Sequence, residues 1–498
     1  MVVIPFVIYL FYFTLLRGKL IMENKLEKKY GLLTAICMVV GIVIGSGVFF
    51  KAQTILTATN GNMPLGILAW IIGGIIMLVC ALAFATMATK YEKVNGIVDY
   101  AEATVGGGYA YMVGWFMTII YYPTLTSVLA WLSARYTLVF VQAVNPNFTM
   151  TEGGPVVGTE CMVLTLFFLC ASYAINALSP KIAGYFQVST TFIKLIPLLL
   201  MAVVGIIYGL STGMISQNFT HMATVDTSAN AVNVNPLFGA VVATAFAYEG
   251  WIIATSINAE LKDAKKNLPI ALTVGALIII AVYILYYIGV AGGATNDALI
   301  KDGATDSFIN IFGNVFGNIL NLFIAVSCMG TLNGLMLGCT RGMYSIAIRG
   351  RGPKPEVFDI VDPQTNMTNN SSIIGLMLCA LWFVFFYGAN LAPVNWFGVF
   401  GFDSSELPIV TIYAMYIPIF IMFMKKATDL SAFRRYVIPA LAVCGSTFMI
   451  IAAIFAHGIK PYLTAKAAGG FAIPILFYLI VFAVIMFIGI AVDKKNKK

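Results

Sequence analysis

Gly41-Ile-Val-Ile-Gly-Ser-Gly-Val-Phe49 lies inside Leu32–Leu56, an apolar stretch long enough to cross a bilayer. Three glycines and a serine at that depth are poor helix material. In lipid, broken backbone survives only where protein buries it or a cavity receives it. A helix interrupted at mid-membrane leaves free N–H groups at the start of its outer half, and such ends attract anions. The run therefore reads as a carboxylate site within the membrane.

The rest of the 498-residue chain agrees with a membrane setting. It is 60% apolar and 10% charged, whereas soluble domains carry about 25% charged residues. The fold class expected is an all-α polytopic membrane protein with 12 transmembrane helices. The spans read as Leu32–Leu56, Leu65–Thr89, Tyr109–Val139, Cys161–Leu178, Tyr185–Gly209, Leu237–Ile257, Ile270–Ala291, Phe316–Ile346, Ile373–Gly388, Leu407–Met424, Tyr436–Phe455 and Phe471–Val492. The third and eighth are too long for an upright crossing, which implies tilt. Val2–Leu16 is apolar but short, and Met22-Glu-Asn-Lys begins a charged lead-in. Residues 1–21 are thus expected to be an extension outside the fold, with a thirteenth helix as the rival reading.

With both termini inside, 22 of the 29 Lys and Arg residues fall on the cytoplasmic side, as the positive-inside rule requires. The net charge of +8 is then a topology signal and no reason to expect nucleic acid. Eight scattered cysteines without a CxxC pair read as small buried hydrophobes. His221 and His457 are expected in outer loops, so neither a metal site nor a cofactor is anticipated. The inner segment Tyr91–Gly108 reads as a helix lying on the membrane surface.

A second interruption is expected at Ala245-Phe-Ala-Tyr-Glu-Gly-Trp251. Five spans separate Gly47 from Gly250, which follows it by 203 residues. Five is odd, so two successive five-helix units enter the membrane in opposite senses. That is the requirement for an inverted repeat with its site where two broken helices meet. The organisation expected is residues 22–235 as the first repeat, 236–424 as the second, and 425–498 as two further helices with a basic tail.

These motifs resemble those of the amino acid–polyamine–organocation superfamily. The resemblance rests on Gly-Ser-Gly-Val-Phe49, Phe246-Ala-Tyr-Glu-Gly-Trp251, the following Ala259-Glu-Leu-Lys-Asp-Ala-Lys-Lys-Asn-Leu-Pro-Ile-Ala271, and Gly330-Thr-Leu-Asn-Gly334 with Arg341 and Tyr344. Within the superfamily the chain is similar to the bacterial L-type amino acid transporter branch, from about Gly31 to the end of the last span. The resemblance implies a transporter in the cell membrane, not an enzyme, working by alternating access on amino acids.

Each candidate residue has a physical role to fill. Gly45, Ser46 and Gly47 would bring backbone N–H groups to a substrate carboxylate, helped by the helix dipole. Carbonyls of Val43 and Ile44, with those of Phe246, Ala247 and Glu249 if the sixth span opens, suit an α-ammonium group. The resemblance makes Phe246 the aromatic that closes over substrate from outside. Glu249 is a costly charge at that depth; it could bind a cation, carry a proton, or hold the broken turn. Lys194, about 13 Å into its helix at 1.5 Å per residue, is by resemblance the replacement for a sodium ion of related proteins. A fixed charge there suits exchange; a titrating one suits proton coupling. Tyr121, Tyr122 and Asn333 are candidates for the side-chain pocket.

The first span brings no charged side chain to the site, so small to medium neutral L-amino acids are the expected substrates. A proton-coupled carrier of cationic amino acids or polyamines is the alternative; an intramembrane enzyme or a non-transporting sensor is remoter. Animal relatives attach a glycoprotein through an outer-loop cysteine after the third span. Cys161 lies at the edge of the fourth span instead, so no obligatory partner subunit is expected beyond the lipid bilayer. Sequons occur at Asn147 and Asn218.

Overall fold

The computed structural model describes residues 28, 30–91, 96–145, 147–222, 235–252, 261–363, 365, 367–467 and 469–496. Residues 1–21 lie outside these. Ten helices among the described residues are long and apolar enough to cross a membrane, and the bent pair at the first span makes an eleventh. In chain order the helices are α1 (Leu32–Val43), α2 (Ser46–Ala58), α3 (Met63–Ala88), α4 (Gly96–Thr104) and α5 (Gly107–Val144). Then come α6 (Gly154–Leu178), α7 (Lys181–Thr212), α8 (Pro236–Tyr248), α9 (Ala264–Val290) and α10 (Asn296–Asp302). The last five are α11 (Leu322–Ala347), α12 (Asn369–Leu391), α13 (Leu407–Lys426), α14 (Phe433–Ala467) and α15 (Pro474–Lys494). Of the sixth span, α8 and the four residues after it are described.

Burial is arranged as lipid demands. The most apolar window, in α15, is only 17% buried, whereas the more polar α11 is 78% buried. Apolar side chains such as Phe167, Leu210 and Phe487 are exposed because acyl chains, not water, cover them. Helices approach through small residues, since lipid offers no hydrophobic drive to bring them together. A Cβ on Gly205 of α7 would fall 2.5 Å from the Gly289 carbonyl oxygen of α9.

An aromatic cluster of Trp70, Tyr248 and Tyr283 packs α3, α8 and α9 together. The Trp70 ring lies 5.5 Å from Tyr248 and 5.3 Å from Tyr283, and the two tyrosines stack at 5.1 Å. The Tyr248 hydroxyl donates to the Trp70 carbonyl at 3.0 Å, so the sixth span is pinned immediately before its break.

Three local expectations change. α14 runs on to Ala467 through a widened turn at Phe455–Ile459, so His457 sits inside a helix and not in a loop. α4 is no surface helix, because Ile97, Val98, Asp99, Tyr100 and Ala101 are all buried. Its carboxylates Asp99 and Glu102 pair with Arg349, a reason to fold under the bundle that an interfacial reading overlooks. The helix leading into α11 bends at Gly313, where φ is +79°, a conformation glycine tolerates best. The bend falls ahead of Phe316, so the helix reaches back beyond the expected span to Thr305 and the bend does not shorten that span.

Candidate functional site

The first span breaks where the glycines sit. α1 stops at Val43; Ile44 is extended (φ −71°, ψ 97°), Gly45 follows at φ −132°, ψ −146°, and α2 starts at Ser46. The two halves differ in direction by 40°. The Ile44 N–H still reaches the Val40 carbonyl at 2.8 Å, but carbonyls beyond it have no helical partner. The sixth span breaks directly opposite. Glu249 is extended (φ −84°, ψ 164°) and Gly250 takes φ +102°.

Lys194 answers the first break. It is fully buried, and its ammonium donates to the carbonyls of Gly41 and Ile44, both at 2.5 Å. The Ser327 carbonyl and the Thr331 hydroxyl lie 3.4 Å away. A cation at the C-terminal end of α1 meets the negative end of its dipole, and the oxygens replace the water it has lost. Ser327 and Thr331, one turn apart on α11, escape a sequence reading based on charge and glycine; hydroxyl side chains at i and i+4 aimed at one break are the signal that marks them. Any Cβ on Gly45 would come within 2.6 Å of the Thr331 hydroxyl.

Tyr283 of α9 answers both breaks at once. Its hydroxyl is 3.0 Å from the Val43 carbonyl and 3.0 Å from that of Ala247. With one proton it donates to one carbonyl at a time. Thus of the carbonyls considered for an ammonium group, Ile44 faces Lys194, while Val43 and Ala247 share Tyr283. No sequence periodicity marks a buried tyrosine as a backbone clamp.

Glu249 is buried, and its Oε1 accepts from the Tyr121 hydroxyl at 2.5 Å. Tyr121 therefore belongs to the sixth-span break and not to a pocket wall. Tyr122 packs against α11, where a Cβ on Gly338 would meet its ring at 2.7 Å. Asn333 lies in a separate polar knot: it accepts from Asn176 at 2.9 Å and donates to Gln187 at 3.0 Å.

Between the breaks is a cavity with ≈ 360 Å³ of atom-free space, part of it open to solvent. Gly45, Gly47, Phe246, Glu249 and Thr331 line it, together with Leu125, Leu129, Leu335 and Ile409. The N-terminal end of α2 thus faces one side, and leucines spaced four apart on α5 face the other. At the opposite end from α2, the chain entering α1 is tied to the segment leading into α9, since the Lys262 N–H donates to the Tyr30 carbonyl at 2.8 Å.

The arrangement has counterparts. The sequence matches the family model described as "Amino acid permease" over residues 30–485. It is 30% identical over 441 residues to the serine/threonine exchanger SteT of Bacillus subtilis (strain 168), covering 86% of this chain and 91% of that one. It is 24% identical over 442 residues to the b(0,+)-type amino acid transporter 1 of Mus musculus, covering 88% and 85%. Among solved structures, MhsT in complex with L-phenylalanine superposes with a TM-score of 0.57 at 15% identity, over 87% of this chain and 99% of the other. That likeness is one of fold: the five-plus-five inverted repeat expected from the two breaks.

Proposed function

The chain belongs to the amino acid permease family, and on that premise we propose that it exchanges small to medium neutral L-amino acids across the cell membrane. It is a multi-pass membrane transporter, not an enzyme, and moves amino acids by alternating access. The substrate carboxylate sits on the N–H groups of Gly45, Ser46 and Gly47 at the head of α2. Its ammonium group sits among the carbonyls of Val43, Ile44, Phe246, Ala247 and Glu249, displacing the Tyr283 hydroxyl from one of them. Leu125, Leu129, Leu335 and Ile409 receive the side chain.

The observation that carries this reading is the Lys194 ammonium held by the Gly41 and Ile44 carbonyls. It stabilises the break without a dissociable metal ion. A side chain tethered in that place gives the empty carrier no dissociable ion whose gradient it could follow, which favours exchange over net uptake. A serine/threonine exchanger among the relatives supports the same class of substrate. Cys161 is fully buried, which supports function without a disulfide-linked subunit. The excess of Lys and Arg in the inner loops supports cytoplasmic termini for a chain read from Met22.

The test is radiolabelled uptake into liposomes holding the purified protein. Vesicles are empty or preloaded with amino acid, and the outer pH is either neutral or acidic. Uptake confined to preloaded vesicles is the expected result. Proton-driven uptake into empty vesicles would overturn exchange. Because Glu249 lines the cavity, arginine and putrescine belong in the panel, and preference for either would replace the neutral substrate class with a cationic one.

A further inference from the structure

Three helices bring cations to one level of the membrane. Gly66 of α3 packs on Tyr287 of α9, and Gly74 packs on Ile280, so the two helices run antiparallel. Gly445 of α14 packs on Ile76 of α3, and the Cys80 thiol meets Ala442 and Ser446, so α14 is antiparallel to α3 as well. Each helix rises 1.5 Å per residue, which brings Ala88 at the end of α3 level with Lys266 and with Arg434, to within about a turn. Lys90 stands just beyond Ala88. Lys266 and Arg434 are exposed and Lys90 is half-buried. Between α9 and α14 the lipid-facing side of α3 is the floor of a groove. Gly74 and Ile76, which touch α9 and α14, lie about 200° apart around α3 at about 100° per residue. Leu68, Ile71 and Ile75 fall midway between them and are exposed, whereas Val79 and Leu82 on the same strip are half-buried. The walls thus close in toward the end where the cations stand.

We propose that this groove binds an anionic phospholipid, its phosphate on Lys90, Lys266 and Arg434 and an acyl chain along Ile75, Val79 and Leu82. Charge complementarity selects the occupant. Lys266 and Arg434 stand in the first turns of α9 and α14, where the helix dipole disfavours a cation and favours an anion. A phosphate between them relieves both. Arginine also meets phosphate with two parallel N–H groups. The acids described at this end are few. Asp263 at the head of α9 faces two lysines, Lys265 and Lys266. Asp429 pairs with Lys90, but that carboxylate is exposed, and an exposed ion pair is weak enough for a phosphate to share its cation. A zwitterionic lipid would bring a cation of its own to the same place. The bound lipid would brace α3 against α9 and α14 behind Trp70, which packs on Tyr248 just before the sixth-span break. The site depends only on the chain spanning a membrane, not on which substrate it carries.

The experiment reads bound lipid, not flux. The purified chain in detergent is titrated with phosphatidylglycerol or phosphatidylcholine of the same acyl chains, and native mass spectrometry counts the lipids retained. Phosphatidylglycerol is expected to bind about tenfold or more tightly than phosphatidylcholine. Lys266→Gln and Arg434→Gln are each expected to weaken it about fivefold, and a chain with both and Lys90→Gln about 100-fold. Lys181→Gln removes an exposed lysine at the head of α7 and is expected to leave binding within about twofold. Equal affinity for the two lipids would overturn the site, as would parental affinity in the triple variant. A loss in Lys181→Gln equal to that in Lys266→Gln would overturn it too, by reducing it to general surface charge. If the triple variant does not fold, the two single variants decide, and parental affinity in both overturns the site. Inorganic phosphate is expected not to compete at the lipid's concentration; displacement by it would overturn a lipid as the occupant.

Discussion

Gly47 and Ala247 touch where the two broken spans meet. A Cβ built on Gly47 would fall 2.8 Å from the Ala247 Cα and 3.5 Å from its backbone nitrogen. Backbone cannot move aside as a flexible side chain can, so the absence of a side chain at Gly47 sets the distance between the carboxylate and ammonium halves of the site. Replacing Gly47 with Ala forces the spans apart. The expected result is loss of substrate affinity on the order of 100-fold, since a displacement of about 1 Å can cost that much at a positioned site. Scintillation-proximity binding of labelled amino acid measures it, and unchanged affinity would refute the contact's role.

Lys194 is expected to be irreplaceable by a side chain of similar length. Lys194→Met strands the Gly41 and Ile44 carbonyls, and each lost bond to a charged group costs about 1.5–3 kcal/mol. Exchange in preloaded vesicles should fall below about a tenth of normal, and acidification should not restore it. Retained exchange would mean the break is held by other groups.

Glu249 is expected to hold the broken turn through its oxygen and not through its charge. Glu249→Gln keeps an acceptor for Tyr121, and losing charge assistance in one bond costs on the order of 1 kcal/mol. Neutral amino acid exchange should therefore stay within about tenfold of normal, whereas Glu249→Leu should lose it. A well-folded Glu249→Gln protein without any exchange would show that the carboxylate itself is required.

The leucine wall should set the size limit. Leu129→Ala opens space beside the cavity, and a matched methylene in an apolar pocket is worth about 1–3 kcal/mol. Competition assays are expected to show larger neutral amino acids, such as leucine, gaining about tenfold against serine. An unchanged rank order would remove Leu129 from the pocket.

The Glu406 carboxyl supplies a pH test. Burial pushes its pKa up, but Lys51 and His457 outweigh burial and hold it well below the usual carboxylate range. A depressed pKa means that the pair's stabilisation is complete above the unfolded value, 4.5, and fades only as pH falls through the folded one. In a His457→Gln background, which removes the imidazole's own titration, the difference in thermal unfolding between Glu406 and Glu406→Gln should stay flat from about pH 8 to 5. It should shrink only in stronger acid; a gap closing near neutrality would contradict the pairing.

Legibility from sequence varied with the physics involved. Both breaks were readable, because glycine and a charged residue at mid-membrane conflict with an unbroken apolar helix. The depth of Lys194 was likewise readable. Lys51 and Glu406, in contrast, carry no mark in the sequence, because each alone is an ordinary ion near a helix end. Tyr121 and Asn333 were legible as polar groups in a membrane, but that they pair with Glu249 and Asn176 was not. Asn218, in an apparent sequon, is buried, and its amide donates to the Ala291 and Ala294 carbonyls at 2.7 and 2.8 Å. Its side chain is committed to the fold and leaves no room for a sugar.

The sequence alone determined that this chain crosses the membrane many times and that two spans fail at corresponding depths. Those are local matters: lipid offers the backbone no hydrogen bonds, so each segment's own residues decide whether it can remain a helix. Tertiary structure alone decided what meets the exposed ends. Lys194 reaches carbonyls about 150 residues earlier, and Lys51 reaches a carboxylate 355 residues later. Such pairings depend on how helices stack and rotate against one another, and packing of that kind leaves no periodic mark in a sequence whose spans are apolar on nearly every face.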